Sequence, residues 1–522
     1  MQRELLAPRV VIRPAPSTSL VPATMRGPIA AHALLVGVGA DALLSGVGPG
    51  YSIWMMLIAA SLVAITWRGG KPVRRSAAIW MLGAILIALC IAVRGSEELV
   101  FVNVLASLAA MALAAAAQGG DVGAHAIARV RDLMWSMVAA VRESLVGAVP
   151  LLDSPANGGS PVRKRVSRFA PLLRASVAGL LVLVLFGTML RGADPLFASL
   201  VDLPRLDFAN ALRHAVFVLL GAWFACGLLR TATTGEELQR APDRFAVEFG
   251  SLEVAAALTA LLIVFSAYVL SQLGLLFGGA EFLKAHTGLT VANYARSGFF
   301  ELIWIVMLVL PVLIACAAFV RDAVVPRRQA ALSLGIIALL LATLGSAAVR
   351  MKLYVHYYGL TSDRLYPLVF MTWLGLVLVW FAMTTLSGRP RRFVFGAEVA
   401  GGVMLLALNI SNPDLIIARA NVGRAFAKIP QTDVWYLSRL SGSATELAIG
   451  ELLHPNGADL PRCMAAGSLL GQWGPNSEAA TDRGMWRRTS LDERKSIASV
   501  ERNFAAVARV QAQACKVAYA KH

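Results

Sequence analysis

Apolar residues in this chain come in blocks of about 20, separated by short charged links. That is the length a helix rising about 1.5 Å per residue needs to cross a hydrocarbon core roughly 30 Å thick. Most blocks lack the polar residues at a 3.6-residue period that mark a soluble core helix. A spanning helix also satisfies its backbone polar groups internally. Composition agrees, since 57% of the 522 residues are hydrophobic and 15% charged, outside the range of soluble domains. The pattern predicts an all-α, polytopic transmembrane bundle of eleven spans with a small C-terminal helical soluble domain.

The expected spans are 29–47, 50–67, 77–93 and 98–117 in a first block, 29–117. A second block, 171–411, holds 171–190, 208–229, 252–275, 299–320, 329–349, 366–386 and 395–411. The segment 29–47 carries His32, Asp41 and several glycines, so a re-entrant or tilted segment stands as its alternative. Residues 1–28 form a basic, proline-rich flexible tail without the apolar stretch of a signal peptide.

Alternate loops share a side, and Lys and Arg concentrate on the cytoplasmic one. With the N-terminus inside, the inner links carry 24 Lys and Arg and the outer ones nine, which places the N-terminus in the cytoplasm and the C-terminal tail outside. The net charge of +17 therefore belongs to loops facing anionic headgroups of the cytoplasmic leaflet, and nucleic acid is not expected as a partner. Within 118–170, residues 121–149 read as an amphipathic surface helix, since Arg129, Arg131, Asp132, Arg142 and Glu143 interrupt its apolar face. A flexible basic linker follows, with Arg163, Lys164 and Arg165.

Residues 412–522 hold no run long enough to span. Asn412 before Pro413 reads as an N-cap followed by a first-turn proline. Ser443 with Glu446 and Ser490 with Glu493 read as capping boxes that start helices near 444 and 491. The last helix is expected to carry an apolar stripe of Ile497, Val500, Phe504, Val507 and Val510. Cys90, Cys226 and Cys316 lie in spans and read as packing residues. Cys463 and Cys515 lie in the tail, and either bridge in an oxidising compartment or remain two free thiols.

No P-loop, HExxH, GxSxG or CxxC motif stands in a working context. No catalytic residue, metal site or cofactor is therefore assigned, and an enzyme acting on a lipid headgroup would have only His356 and Glu301 to offer. Ionisable groups in or beside spans are the remaining candidates. Glu253 and Glu398 read as headgroup-level charges at inner span ends. The outer side is denser, with Tyr294, Arg296 and Glu301 opposite Arg350, Tyr354, Tyr358 and Arg364, and Gln272 with a Phe277-Gly278-Gly279 turn as a neighbouring wall. One reading is an aromatic belt with a charged rim. The other is an outward-facing polar site in which arginines receive an anionic group and Glu301 holds a proton.

These residues sit in stretches that resemble a family of bacterial polytopic membrane proteins catalogued only as a domain of unknown function. The stretches are Gln272 with Leu276-Phe277-Gly278-Gly279, Tyr294-Ala295-Arg296 with Gly298 to Leu302, Arg350-Met351 with Leu353-Tyr354, Tyr358-Gly359-Leu360-Thr361 with Arg364, and Asn412-Pro413-Asp414 with Ala418 and Asn421, followed by Asp433, Tyr436 and Leu437. The resemblance covers roughly 250–440, implies a bacterial inner-membrane location and brings no activity or ligand. Two functions are expected. The first is a transporter-like or ligand-handling protein using the outer-side cluster on a small molecule. The alternative is a non-enzymatic sensor or scaffold whose tail binds an envelope partner.

Overall fold

The computed structural model describes residues 21–44, 46–120, 208–238, 250–287, 299–318, 326–423, 433–454, 458–481 and 485–520, and these are helical with no strand among them. The expected surface helix, basic linker and span at 171–190 lie outside the described residues.

Two helix bundles carry the membrane part. The first joins α1 (Ala23–Leu43), α2 (Pro49–Arg68), α3 (Arg75–Val93), α4 (Glu97–Gly119) and α5 (Phe208–Leu238) around Ile29, Val36, Met55, Leu62, Met111 and Leu228. The second joins α6 (Ser251–Thr287), α7 (Phe299–Ala318), α8 (Arg327–Tyr358), α9 (Ser362–Thr384) and α10 (Pro390–Ser411) around Leu258, Val306, Leu340, Leu378 and Phe381. Among the described helices the division thus falls after α5, which packs with the first four. Large apolar side chains face outward, among them Phe101, Leu220, Ile263, Val264 and Leu308. A water-soluble protein would cover such a surface, whereas lipid solvates it.

Helices α2, α3, α4, α5, α6, α8 and α9 each contain a segment long and apolar enough to cross a membrane, which makes this a multi-pass membrane protein. Helix α10 and α11 (Pro413–Asn421) meet at 53° and make an eighth crossing if taken as one span. Eleven is not reached among the described residues. The span at 171–190 lies outside them, the described apolar segment of α7 is Leu302–Ala317, and α1 is diluted by Arg26, His32 and Asp41. Helix α1 is nevertheless one continuous helix rather than a re-entrant turn. Glycines on both helices serve its packing against α5: a Cβ on Gly37 of α1 would lie 2.3 Å from the Val218 carbonyl oxygen, and one on Gly221 of α5 would lie 2.7 Å from the Ala40 Cβ. Small residues here let α1 and α5 approach backbone to backbone.

The sharp turn expected at Phe277, Gly278 and Gly279 does not occur, because α6 runs through to Thr287. A helical glycine costs only about 1 kcal/mol relative to alanine, too little to end a long helix.

The bundles meet where α10 lies against α3 and α4. Ile87, Leu99 and Leu405 form a small apolar cluster there. Below it Asn103 and Asn409, both buried, exchange reciprocal amide hydrogen bonds of 2.9 Å. In a hydrocarbon setting that pair satisfies two amides which would each be costly alone.

The tail continues with α12 (Val434–Leu437), α13 (Ser443–Leu453), α14 (Asp459–Trp473), α15 (Glu478–Thr481), α16 (Met485–Arg488), α17 (Leu491–Arg502) and α18 (Phe504–Ala520). Asn412 caps α11, accepting from Leu415 N, in the left-handed conformation at φ 55°. Ser490 and Glu493 make a complete capping box at α17. The box expected at Ser443 and Glu446 does not form. Gly442 is the cap of α13, with φ 66°, and a Cβ there would lie 2.8 Å from the Asp492 carboxyl carbon. Glu446 instead accepts from Ser499 and Arg502. The expected last helix is two, broken at Asn503, so Phe504 leaves the stripe and is exposed while Ile497, Val500 and Val507 are buried.

Cys463 and Cys515 form a disulfide joining α14 to α18, with Cα atoms 4.8 Å apart and a sequence separation of 52. Closing a loop of that length restrains the unfolded tail by about 2–4 kcal/mol. Limited proteolysis of the detergent-solubilised protein should therefore cut within 412–522 markedly faster in Cys515→Ser, or after reduction of the wild type. Equal rates in both would mean that the bond adds nothing to tail stability.

A polar cavity beneath the tail

The tail lies across one end of both bundles, and the first anchor is Arg94 at the end of α3. Its Nε donates to the Asn409 carbonyl at 2.6 Å and Nη2 to Ile410 O at 3.3 Å, while Nη1 meets the Asp492 carboxylate at 3.1 Å. One guanidinium therefore satisfies the last carbonyls of α10 and pairs with the tail, with the Asp492 side chain only 2% exposed.

A second anchor is the corner between α8 and α9. Asn421 reads the backbone of Leu360 in both directions, accepting from its N–H at 2.9 Å and donating to its carbonyl at 2.6 Å. The Tyr436 hydroxyl accepts from Ser362 N at 2.9 Å, and Asp414 accepts from both Ser441 N and Oγ. Leu360, Ile417, Ala418 and Leu437 pack together around these bonds. The Gly359-Leu360, Asn412-Pro413-Asp414, Asn421 and Tyr436 elements, distant in sequence, thus build one joint.

Between joint and anchor lies a cavity of about 710 Å³. Its walls come from the start of α4 (Ser96, Glu97, Glu98), the start of α9 (Thr361, Ser362, Asp363), Asp414 on α11, and the tail residues Tyr436, Arg439, Gln472, Trp473, Arg488 and Glu493. All five carboxylates stand in the first turn of a helix: Glu97 and Glu98 in α4, Asp363 in α9, Asp414 in α11 and Glu493 in α17. There they complement the positive helix ends. Four helix N-termini therefore converge on one space.

None of the described residues of the cluster expected from sequence lines this cavity, but some of them lie together beside the corner. Helix α8 does continue to Tyr358, so Arg350 and Tyr354 share a face, and Arg350 is buried. Arg364 lies over the Tyr354 ring, 4.3 Å from its centroid, and 5.8 Å from that of Tyr358. Its Nη1 donates to the carbonyls of Tyr358, at 2.9 Å, and Gly359. Arg364 thus staples the corner from within. Tyr294 and Arg296 lie outside the described residues, as do the side chains of Gln272 and Glu301 within α6 and α7. No group of three or more His, Cys, Asp or Glu side chains suited to a metal ion occurs among the described residues.

Burial raises the Glu493 carboxyl above its ordinary 4.5, and the neighbouring charges of Asp492 and Glu97 add to the effect. A carboxyl with a raised folded value binds its proton more tightly folded than unfolded, so its contribution weakens as pH rises from 4.5 through that raised value. Glu493→Gln, which can still fill the capping box, should flatten this fall in a series of thermal unfolding curves. An unchanged pH profile would assign the dependence elsewhere. Arg94→Ala leaves the buried Asp492 carboxylate with only Lys495, 3.8 Å away, and should cost up to about 3–5 kcal/mol. Hydrogen exchange of α17 should rise accordingly, and unchanged protection would remove Arg94 as the anchor.

A family model described as Domain of unknown function (DUF4153) matches residues 81–450. That stretch includes Arg94, the α4 and α9 walls, the joint and α13, while Gln472, Trp473, Arg488 and Glu493 lie beyond it. No curated protein and no solved structure matches the chain.

Proposed function

Since the chain belongs to the DUF4153 family, whose description assigns no activity, we propose its function from geometry: it handles a small-molecule ligand in the cavity between the bundles and the tail. The observation that carries this reading is the cavity itself, about 710 Å³ and walled by polar groups from four separate parts of the chain. That volume lies in the range of small-molecule sites. Two bundles meeting beneath a polar chamber, with the Asn103–Asn409 pair in their seam, suit a transporter-like device in which the bundles move against each other.

The membrane is the bacterial cytoplasmic membrane, with the tail and cavity on its outer side and the N-terminus inside. The tail disulfide supports this side, because such bonds persist in oxidising compartments. Arg68, Lys71, Arg74 and Arg75, in the link between α2 and α3 at the opposite end of the first bundle, then meet anionic headgroups.

Gly471 lines the cavity, and a Cβ added there meets nothing within 4 Å. Gly471→Trp should fill the chamber without disturbing the fold and fail to complement a strain lacking the gene. Full complementation by a well-expressed Gly471→Trp protein would sink the cavity as the working site. For orientation, an impermeant maleimide applied to intact spheroplasts should label Cys463 and Cys515 only after an impermeant reductant. Labelling that requires lysis would place the tail inside.

A further inference from the structure

We infer that the ligand of this cavity is a neutral polyhydroxyl compound, a carbohydrate, an inference that rests on the ligand-handling role proposed above. The charge of the walls, about minus one in sum, suits a neutral guest better than a strongly ionic one. Five carboxylates face two guanidiniums, and each of the four helix N-termini adds about half a positive charge. An anion would meet the carboxylates, and a cation would meet helix ends already matched by those carboxylates.

Subtracting the groups used internally sharpens the chemistry. Asp414 is held by Ser441, Glu493 by its capping box, Ser96 by Tyr366 and Glu98, and Ser362 by Tyr436. What stays open among the described residues is Glu97, Asp363, Arg439, Gln472, the Thr361 hydroxyl and the cavity-lining part of Trp473, whose half-buried indole also packs on the tail core. Glu97 and Asp363 are exposed and in no ion pair among the described residues. Arg439 stacks 5.5 Å from the Trp435 ring, which leaves its N–H groups available.

That open set supplies paired acceptors, paired donors and one apolar plane. A sugar ring needs the same inventory. Each of its hydroxyls both donates and accepts, so carboxylates and a guanidinium or amide bind it together. Its C–H face packs on an aromatic plane. A free amino acid would use one carboxylate and one guanidinium and leave the remaining open groups and the indole without purpose. In the outer-side orientation this site faces a compartment where glycans of the cell envelope occur.

The test uses the full-length protein in lipid nanodiscs, probed on a glycan array and, in parallel, by calorimetry with spermidine and with glutamate. The expected result is retention on a defined subset of glycans, weakened about tenfold or more by Asp363→Asn and by Gln472→Ala. Both positions are exposed, so both variants keep the fold, checked by their elution and melting profiles. Binding of spermidine or glutamate with no glycan retained would overturn the carbohydrate assignment and leave the ligand-handling role standing. Glycan retention unaffected by either variant would place the sugar elsewhere and overturn the inference. No binding of any probe by a folded, monodisperse protein would overturn the carbohydrate assignment, and a complementing Gly471→Trp would then remove the ligand-handling role as well.

Discussion

A single guanidinium holds three parts of this molecule in register. Arg94 closes α3 of the first bundle, satisfies the terminal carbonyls of α10 in the second, and pairs with Asp492 of the tail. The last carbonyls of a helix have no intrahelical donor, and the buried Asp492 carboxylate has only the more distant Lys495, at 3.8 Å, beside Arg94. Because the bonds are mutually dependent, seam and tail are set together. The cavity follows as the space left between surfaces positioned by that one contact and by the Leu360–Asn421 joint.

The membrane imposes the rest. Between bundles there is no hydrophobic drive beyond what lipid already supplies, so association relies on close packing and on polar contacts. The seam shows both, as the Ile87, Leu99 and Leu405 cluster and the Asn103–Asn409 pair. It is thin compared with the interior of either bundle.

Much of the architecture was legible because hydropathy and capping are local. The blocks of α2, α3, α4, α8 and α9 announce themselves by length and apolarity, and Asn412-Pro413 and Ser490 with Glu493 by their side chains. Local signals also misled. Gly278 and Gly279 read as a turn but lie in a helix whose remaining residues carry it. Ser443 with Glu446 fits a capping box, yet Gly442 takes the left-handed cap and Glu446 is drawn to Arg502 across the tail. Gly37 and Gly39 of α1 read as weakness and turn out to be contact points, for α5 and α2 respectively. The cavity was not legible for a specific reason. Each of its carboxylates looks, in sequence, like an ordinary first-turn residue, and only the convergence of four helix starts gives them a common space. Arg364 could be read in sequence only as a free charge, whereas its Nη1 donates to two carbonyls and its guanidinium lies over the Tyr354 ring.

The decisive measurement is a cross-link between tail and first bundle. A Cβ at Gly46, between α1 and α2, would lie 3.2 Å from the Arg488 Cβ, which a small shift brings into the disulfide range of about 3.5–4.5 Å. The Gly46→Cys, Arg488→Cys double variant, carrying a protease site inserted at residues 157–159, is oxidised in native membranes, cleaved and run without reductant. Tail docking across both bundles predicts that the two halves migrate as one species and separate on reduction. Halves that separate without reductant, while each single variant behaves the same way, would show that the tail does not rest on the first bundle, and the cavity would lose its roof.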